Sequence, residues 1–239
     1  VSSLVIVTGG SSGLGRAMLR TAPRAASRVD VSRSGPPPEA DRHLAADLGD
    51  PAAWPTIGRS LRALIADDPW DELVVVHAAG TIDPIGFAGE VDDASYQNSV
   101  LLGAAGQMIG HHVLAAIGDR ASGAQLVMVS SGAASSVYAG WSSYGAGKAA
   151  LDQWVRNVGE EQRERGGARV LSIAPGTVAT SMQSVVRAAD PTGFPRVDKF
   201  QGLHADGALT EPDDAARALW SIIDDPSHDN GAVIDVRDA

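Results

Sequence analysis

Tyr144 and Lys148 lie four residues apart in WSSYGAGKAALDQW, residues 141–154. On a helix that spacing puts both side chains on one face, so a phenol and an ammonium can enter one pocket. A phenol with a pKa of about 10 is a poor acid or base at neutral pH, and a fixed cation beside it favours the phenolate and lowers that value. General acid/base catalysis improves as the pKa nears the working pH. Arginine would bring charge as a planar fork suited to paired anions, whereas lysine is a compact charge whose donors can also hold ribose hydroxyls. The chain has only two lysines and three tyrosines, so chance is a poor explanation of the pair. Ser131, in VMVSSGAAS, ends an expected strand upstream and can bring a hydroxyl into the same pocket.

A second constellation stands near the beginning of the chain. LVIVTGGSSGLGRAML places Gly9, Gly13 and Gly15 between an expected strand and an expected helix. Such a turn lets the backbone approach a pyrophosphate, which then meets the amides and positive dipole of the helix N-terminus. The next strand should end near an adenosine ribose, where a carboxylate would accept from a 2′-hydroxyl and an arginine would pair with a 2′-phosphate. Asp30 competes with Ser32 and Arg33 for that place. Asp30 is flanked by valines and Arg33 stands at the tip, which favours NADPH (NADP+) over NADH.

These residues need a frame that brings strand ends together. SLVIVTGG, SRVDVSRSG, RHLAADL, DELVVVHAAG, AQLVMVSSG, ARVLSIAPG and GAVIDVRD alternate with helical-length stretches rich in Ala and Leu. That rhythm is the one produced by buried parallel strands joined by helical crossovers. The expected fold is α/β, a single Rossmann-type doubly wound domain over residues 1–239 with a parallel seven-stranded sheet flanked by helices on both faces. Residues 181–209 fit no element and are expected to cover the substrate.

Composition narrows the function. A formal charge of −10 and no basic run argue against a nucleic-acid partner. Cysteine is absent, which excludes disulfides, thiolate catalysis and sulfur-ligated metals, and the six histidines show no metal-binding spacing. No uninterrupted apolar run reaches the ~18 residues that cross a bilayer, and no signal peptide precedes LVIV. The expectation is a cytoplasmic protein with no membrane partner. Arginine in place of lysine, with abundant alanine, implies a GC-rich bacterial genome.

TGGSSGLG (8–15), AAG (78–80), SS (130–131), YGAGK (144–148) and APGTVATSM (174–182) together resemble the short-chain dehydrogenase/reductase family along nearly the whole chain. AAGTIDPIG, GWSSYGAGKAALD, APGTVATSMQ and FQGLHADGALTEPDDAA look most like its sepiapterin and benzil reductase branch. The resemblance implies an NADPH-dependent reductase of ketones, including vicinal dicarbonyls or a pterin side chain. Tyr144 would protonate the carbonyl oxygen, Lys148 would lower its pKa and hold the nicotinamide ribose, and Ser131 would bond the substrate oxygen. Gly9, Ser11, Ser12, Gly13, Leu14 and Gly15 would cradle the pyrophosphate, with Ser32 and Arg33 at the 2′-phosphate. Asp47 and Leu48 would meet the adenine, Ala78, Ala79 and Gly80 the adenosine side, and Pro175, Gly176, Val178 and Thr180 the nicotinamide. Substrate contacts would come from Trp141, Gly176, Gln183 and Asp235, the last, or alternatively Asp238, anchoring a pterin ring. A homodimer or homotetramer through two long helices, near 95–117 and 144–165, is also implied.

The sequence departs from the family's pattern in three places. His77-Ala78 stands where the family has two asparagines, so sheet-steadying hydrogen bonds are lost or taken over by His77. A relay asparagine falls on Gly103, or on Asn98 if the register shifts. Ser12 replaces an arginine that the branch often carries. Two other readings stay open: an alcohol or 3-oxoacyl dehydrogenase/reductase of another branch, and an NADP-binding sensor that has lost turnover.

Overall fold

Residues that alternate in β1 (Ser3–Thr8) bury on both sides, Leu4 and Ile6 in one apolar cluster and Val5 and Val7 in the other. A strand apolar on both faces needs cover on both, and parallel connections through helices supply it. The computed structural model describes residues 2–22, 25–67, 70–118 and 122–239. The strands after β1 are β2 (Ser27–Ser32), β3 (Arg42–Ala45), β4 (Glu72–His77), β5 (Ala124–Val129), β6 (Arg169–Ala174) and β7 (Val233–Asp235). They form one sheet in the order β3-β2-β1-β4-β5-β6-β7, and every adjacent pair is parallel.

One face is covered by α2 (Trp54–Asp67), α3 (Asp93–Ile117) and α4 (Ser142–Arg165), which contribute Leu61, Ile109 and Val155 to its cluster. The other face is covered by α1 (Gly13–Arg20) and α7 (Pro212–Asp224), through Met18 and Leu219. Each such side chain fully buried contributes about 1.5–3 kcal/mol, and two-sided burial makes the sheet a rigid base for the loops at its strand ends. α3 and α4 approach closely: a Cβ on Gly103 would sit 3.3 Å from Gly147 Cα.

The chain leaves β3 and returns to the centre as β4 beside β1, so strand order reverses there. At such a point the flanking connections diverge and leave a crevice at the carboxyl ends of the strands. Residues 181–209, unassigned from sequence, form two short helices over that crevice, α5 (Ser181–Arg187) and α6 (Val197–Ala205). One expectation is corrected: α3, 25 residues, is long and apolar enough to cross a bilayer. Interspersed Asn, Gln, Ser and His hid that property from a search for an uninterrupted run. In the fold α3 packs between α2 and α4 against β4 and β5.

Candidate active site

A cavity of about 760 Å³ occupies the crevice. That volume is within the range of sites that bury a cofactor or substrate. Its floor begins where β1 ends. Gly9 has φ +71, and a Cβ there would stand 2.8 Å from Ala79 Cα, so the turn closes only with glycine. A Cβ on Gly15 would lie 2.3 Å from the Gly9 carbonyl oxygen, which presses α1 against the turn. Ser12 caps α1 without a side-chain hydrogen bond, and the first turn holds no acid. Ser11, Ser12, Gly13, Leu14 and Gly15 all line the cavity. Uncapped amides at a helix start, with no carboxylate to compete, fit the diphosphate of a dinucleotide.

The end of β2 separates the two alternatives for the ribose. Asp30 is completely buried and does not line the cavity. Its Oδ2 accepts from the Ser32 hydroxyl at 2.7 Å and pairs with His43 Nδ1 at 2.8 Å. Ser32, Arg33 and Ser34 do line the cavity, with Asp47 and Leu48 beside them. Arg33 Nη1 lies 3.7 Å from Asp47 Oδ2, with both side chains largely exposed. Ala78, Ala79 and Gly80 follow β4, and Pro175, Gly176, Val178 and Thr180 follow β6 on the opposite wall.

Ser131, Tyr144 and Lys148 share this cavity. Ser131 begins the 3-10 turn Gly132–Ala134, its Oγ accepting from Ala133 N–H at 3.2 Å, which leaves its proton to be donated within the pocket that holds Tyr144. α4 starts at Ser142, placing Tyr144 in its first turn and Lys148 one turn further on the same side. Lys148 Nζ donates to the Val129 carbonyl at 2.7 Å and sits 5.9 Å from the centre of the Tyr144 ring. Burial pushes Tyr144 above the ordinary phenol range, opposed by the Ser131 hydroxyl. Burial lowers Lys148 to about 8, opposed by the Asp152 carboxylate one helical turn on. The expected lowering of Tyr144 by Lys148 is therefore reversed: desolvation dominates, and the side chain is held as a phenol with its proton in place.

His77 takes over the sheet-steadying role left open in the sequence. Its Nδ1 is 2.9 Å from Thr8 Oγ1, tying β4 to β1, and the same Oγ1 accepts from Ala79 N–H at 3.3 Å. Burial and the Lys148 charge lower it to about 3, so it is neutral. A second chamber, of about 20 Å³, lies behind Lys148, lined by His77, Ser99, Gly103, Ser143 and Tyr144 among others. Gly103 thus lies beside the lysine, whereas Asn98 lines the main cavity and points toward Gly49.

At the far end of the cavity Tyr138, Trp141 and Phe200 form an aromatic wall, with Trp141 backed by Phe194 at 4.7 Å between centroids. Trp141 Nε1 and Gln183 Oε1 are buried without a partner among the described residues, and both residues line the cavity. Every residue expected from sequence lines it except Asp235 and its alternative Asp238. The Asp235 carboxylate is gripped by Arg237, two residues further along the chain, accepting from its Nε at 2.7 Å and from its Nη2. Arg237, not Asp235, reaches the cavity wall. Sequence reasoning missed Arg237, Tyr138 and Asp152; for Asp152 the four-residue spacing from Lys148 was an available signal.

A family model described as short chain dehydrogenase matches residues 3–191. The benzil reductase ((S)-benzoin forming) of Bacillus subtilis is 29% identical over 245 residues, covering 98% of each chain. The sepiapterin reductase of Mus musculus is 30% identical over 198 residues, covering 81% of this chain and 74% of its own. Among solved structures, the KRED1-Pglu enzyme superposes with a TM-score of 0.79 at 27% identity, over 96% of this chain and 99% of its own.

Proposed function

The chain belongs to the short-chain dehydrogenase/reductase family, and from that premise we propose that it is an NADPH-dependent carbonyl reductase acting on ketones, vicinal dicarbonyls among them. As an oxidoreductase of this family it uses a nicotinamide cofactor and a small-molecule substrate. The choice of NADPH is supported by Asp30 being buried and occupied while Arg33 stands on the cavity rim.

The observation that carries the reading is the meeting of Ser131, Tyr144 and Lys148 in the wall that also holds the glycine-rich turn. The Gly9–Gly15 turn and Pro175-Gly176 would hold NADPH, which would supply the hydride for the carbonyl carbon. Tyr144 Oη holds the proton that passes to the substrate oxygen. Ser131 donates to the same oxygen as negative charge grows on it. The Lys148 ammonium, anchored on Val129, stabilises the phenolate left behind. α5 and α6 line the cavity through Met182, Gln183, Phe200 and Leu203. α3 and α4 would supply the surface for a second copy, which light scattering on the purified protein tests.

The experiment is cofactor oxidation by the purified protein with benzil, diacetyl, isatin and sepiapterin, in parallel with Tyr144→Phe. Turnover with NADPH that collapses in Tyr144→Phe is the expected result. Cofactor binding without turnover of any carbonyl overturns the reading in favour of an NADP-binding sensor.

A further inference from the structure

The protein carries a formal charge of −10, yet its large cavity is lined by Arg33, Lys148, Lys199 and Arg237 against the single acid Asp47. Arg33 and Asp47 belong to the adenosine end, and Lys148 is committed to Val129 and the reacting tyrosine. Lys199 and Arg237 remain, and of the two Arg237 is ion-paired with Asp235. Both lysines of the chain therefore face this one cavity.

Lys199 has no carboxylate within ion-pair distance among the described residues. Its Nζ donates to Tyr138 Oη at 2.8 Å and lies 5.1 Å from the Tyr138 ring centre and 5.7 Å from that of Phe200. Because Tyr138 Oη accepts that bond, its own proton is left to donate, and Lys199 has two more. Arg237 is oriented from behind: Nε and Nη2 are bound by Asp235, while Nη1 has no partner among the described residues. The Arg237 guanidinium comes to 3.6 Å from where a Cβ on Gly132 would stand, next to Ser131. Ammonium, phenol and guanidinium thus line the same cavity as Ser131, beside Trp141 and Phe200. The buried and unpartnered Trp141 N–H adds a fourth donor in the same wall.

We infer that the substrate end is an anion-receiving subsite, formed by Lys199, Tyr138 and Arg237, for a carbonyl compound that carries both an aromatic group and a carboxylate. An aryl-substituted oxo acid has that chemistry. The ring stacks on the aromatic wall, the carboxylate takes charge-assisted hydrogen bonds from the three donors, and the carbonyl is left facing Ser131 and Tyr144. An aminopterin ring, whose recognition calls for a carboxylate, finds none on this wall, because Asp235 is occupied by Arg237 and does not line the cavity. The inference rests on the reductase reading and specifies its substrate class.

The test compares benzoylformate with its methyl ester, two carbonyl compounds that differ in the charge at one end, with benzil as a neutral control. The expected kcat/KM favours the acid over the ester by about tenfold at low ionic strength, and the ratio shrinks as salt is added. Lys199→Met brings the ratio to about one, and Lys199→Arg restores it. Arg237→Met inverts it, because Asp235 is unmasked. A wild-type preference for the ester, or a ratio unmoved by Lys199→Met, overturns the inference. Titration of tryptophan fluorescence with benzoylformate, NADP+ present, separates it from the reductase reading. Weaker binding in Lys199→Met than in the wild type supports the subsite even if no carbonyl is reduced. Equal binding in the two proteins overturns it even if benzil is turned over.

Discussion

The two ends of the cavity are made of different material. At the cofactor end the wall is largely backbone: the Gly9–Gly15 turn, the start of α1, and the segments after β4 and β6. At the substrate end it is side chain: Tyr138, Trp141, Gln183, Lys199, Phe200 and Arg237, drawn from four stretches far apart in the chain. A backbone wall accepts any ligand that presents the same phosphates and is fixed by local glycine and strand patterns. A side-chain wall is set by tertiary packing, so it can change its substrate while the catalytic centre between the two ends stays as it is.

The largest effect should come from the centre, where neither wall is altered. Tyr144→Phe is expected to lower kcat about 10²–10⁴-fold with NADPH affinity preserved, read by steady-state rates beside cofactor titration. Loss of cofactor binding in that variant would break the separation between ends. Gly15→Ala attacks the backbone wall: its Cβ would be forced to 2.3 Å from the Gly9 carbonyl oxygen. The expected cost is about 1–3 kcal/mol, seen as a lower Tm and an NADPH Kd raised about tenfold or more.

pH sharpens the view of the centre. On the proposed mechanism reduction needs the proton on Tyr144 and the charge on Lys148; burial raises Tyr144 and lowers Lys148 to about 8, so the lysine fails first. The rate should decline above about pH 8, by about tenfold per pH unit, and that limb should be absent in Lys148→Arg. At the substrate end the smallest effect is expected from Gln183→Ala, which removes a buried, unpartnered carbonyl. KM for a diketone should rise by about three- to tenfold while the NADPH Kd, measured separately, holds.

The same contrast decides what could be read in the sequence. The glycine turn and the Tyr144/Lys148 pair are local patterns, interpretable through backbone geometry and helical spacing alone. The alternation of β-branched and Ala-rich stretches foretold the seven parallel strands because two-sided burial leaves that rhythm. The preference for Arg33 over Asp30 rested on position along the strand alone, whereas the burial of Asp30 and its pairing with His43 from β3 are tertiary features. Asp235 was misplaced for a related reason. Its partner Arg237 stands two residues on, and whether the carboxylate faced the cavity or its neighbour depended on the chain after β7. The ionisation of Tyr144 was misread because the ammonium was visible in the sequence and the desolvation was not.

The burial of His77, with the Lys148 charge nearby, gives the central sheet a lower limit of acidity. The ring titrates at about 3 in the fold against an ordinary 6.5, so the unfolded chain takes up the proton first as pH falls. The contribution is fully present above about pH 6.5 and drains away as pH drops toward 3, amounting to roughly 5 kcal/mol once both states are protonated. Thermal melts across that interval should show a steep acid loss in the wild type and a shallower one in His77→Asn. A side chain that closes the seam between the two central strands thereby makes the whole fold a proton-sensitive object.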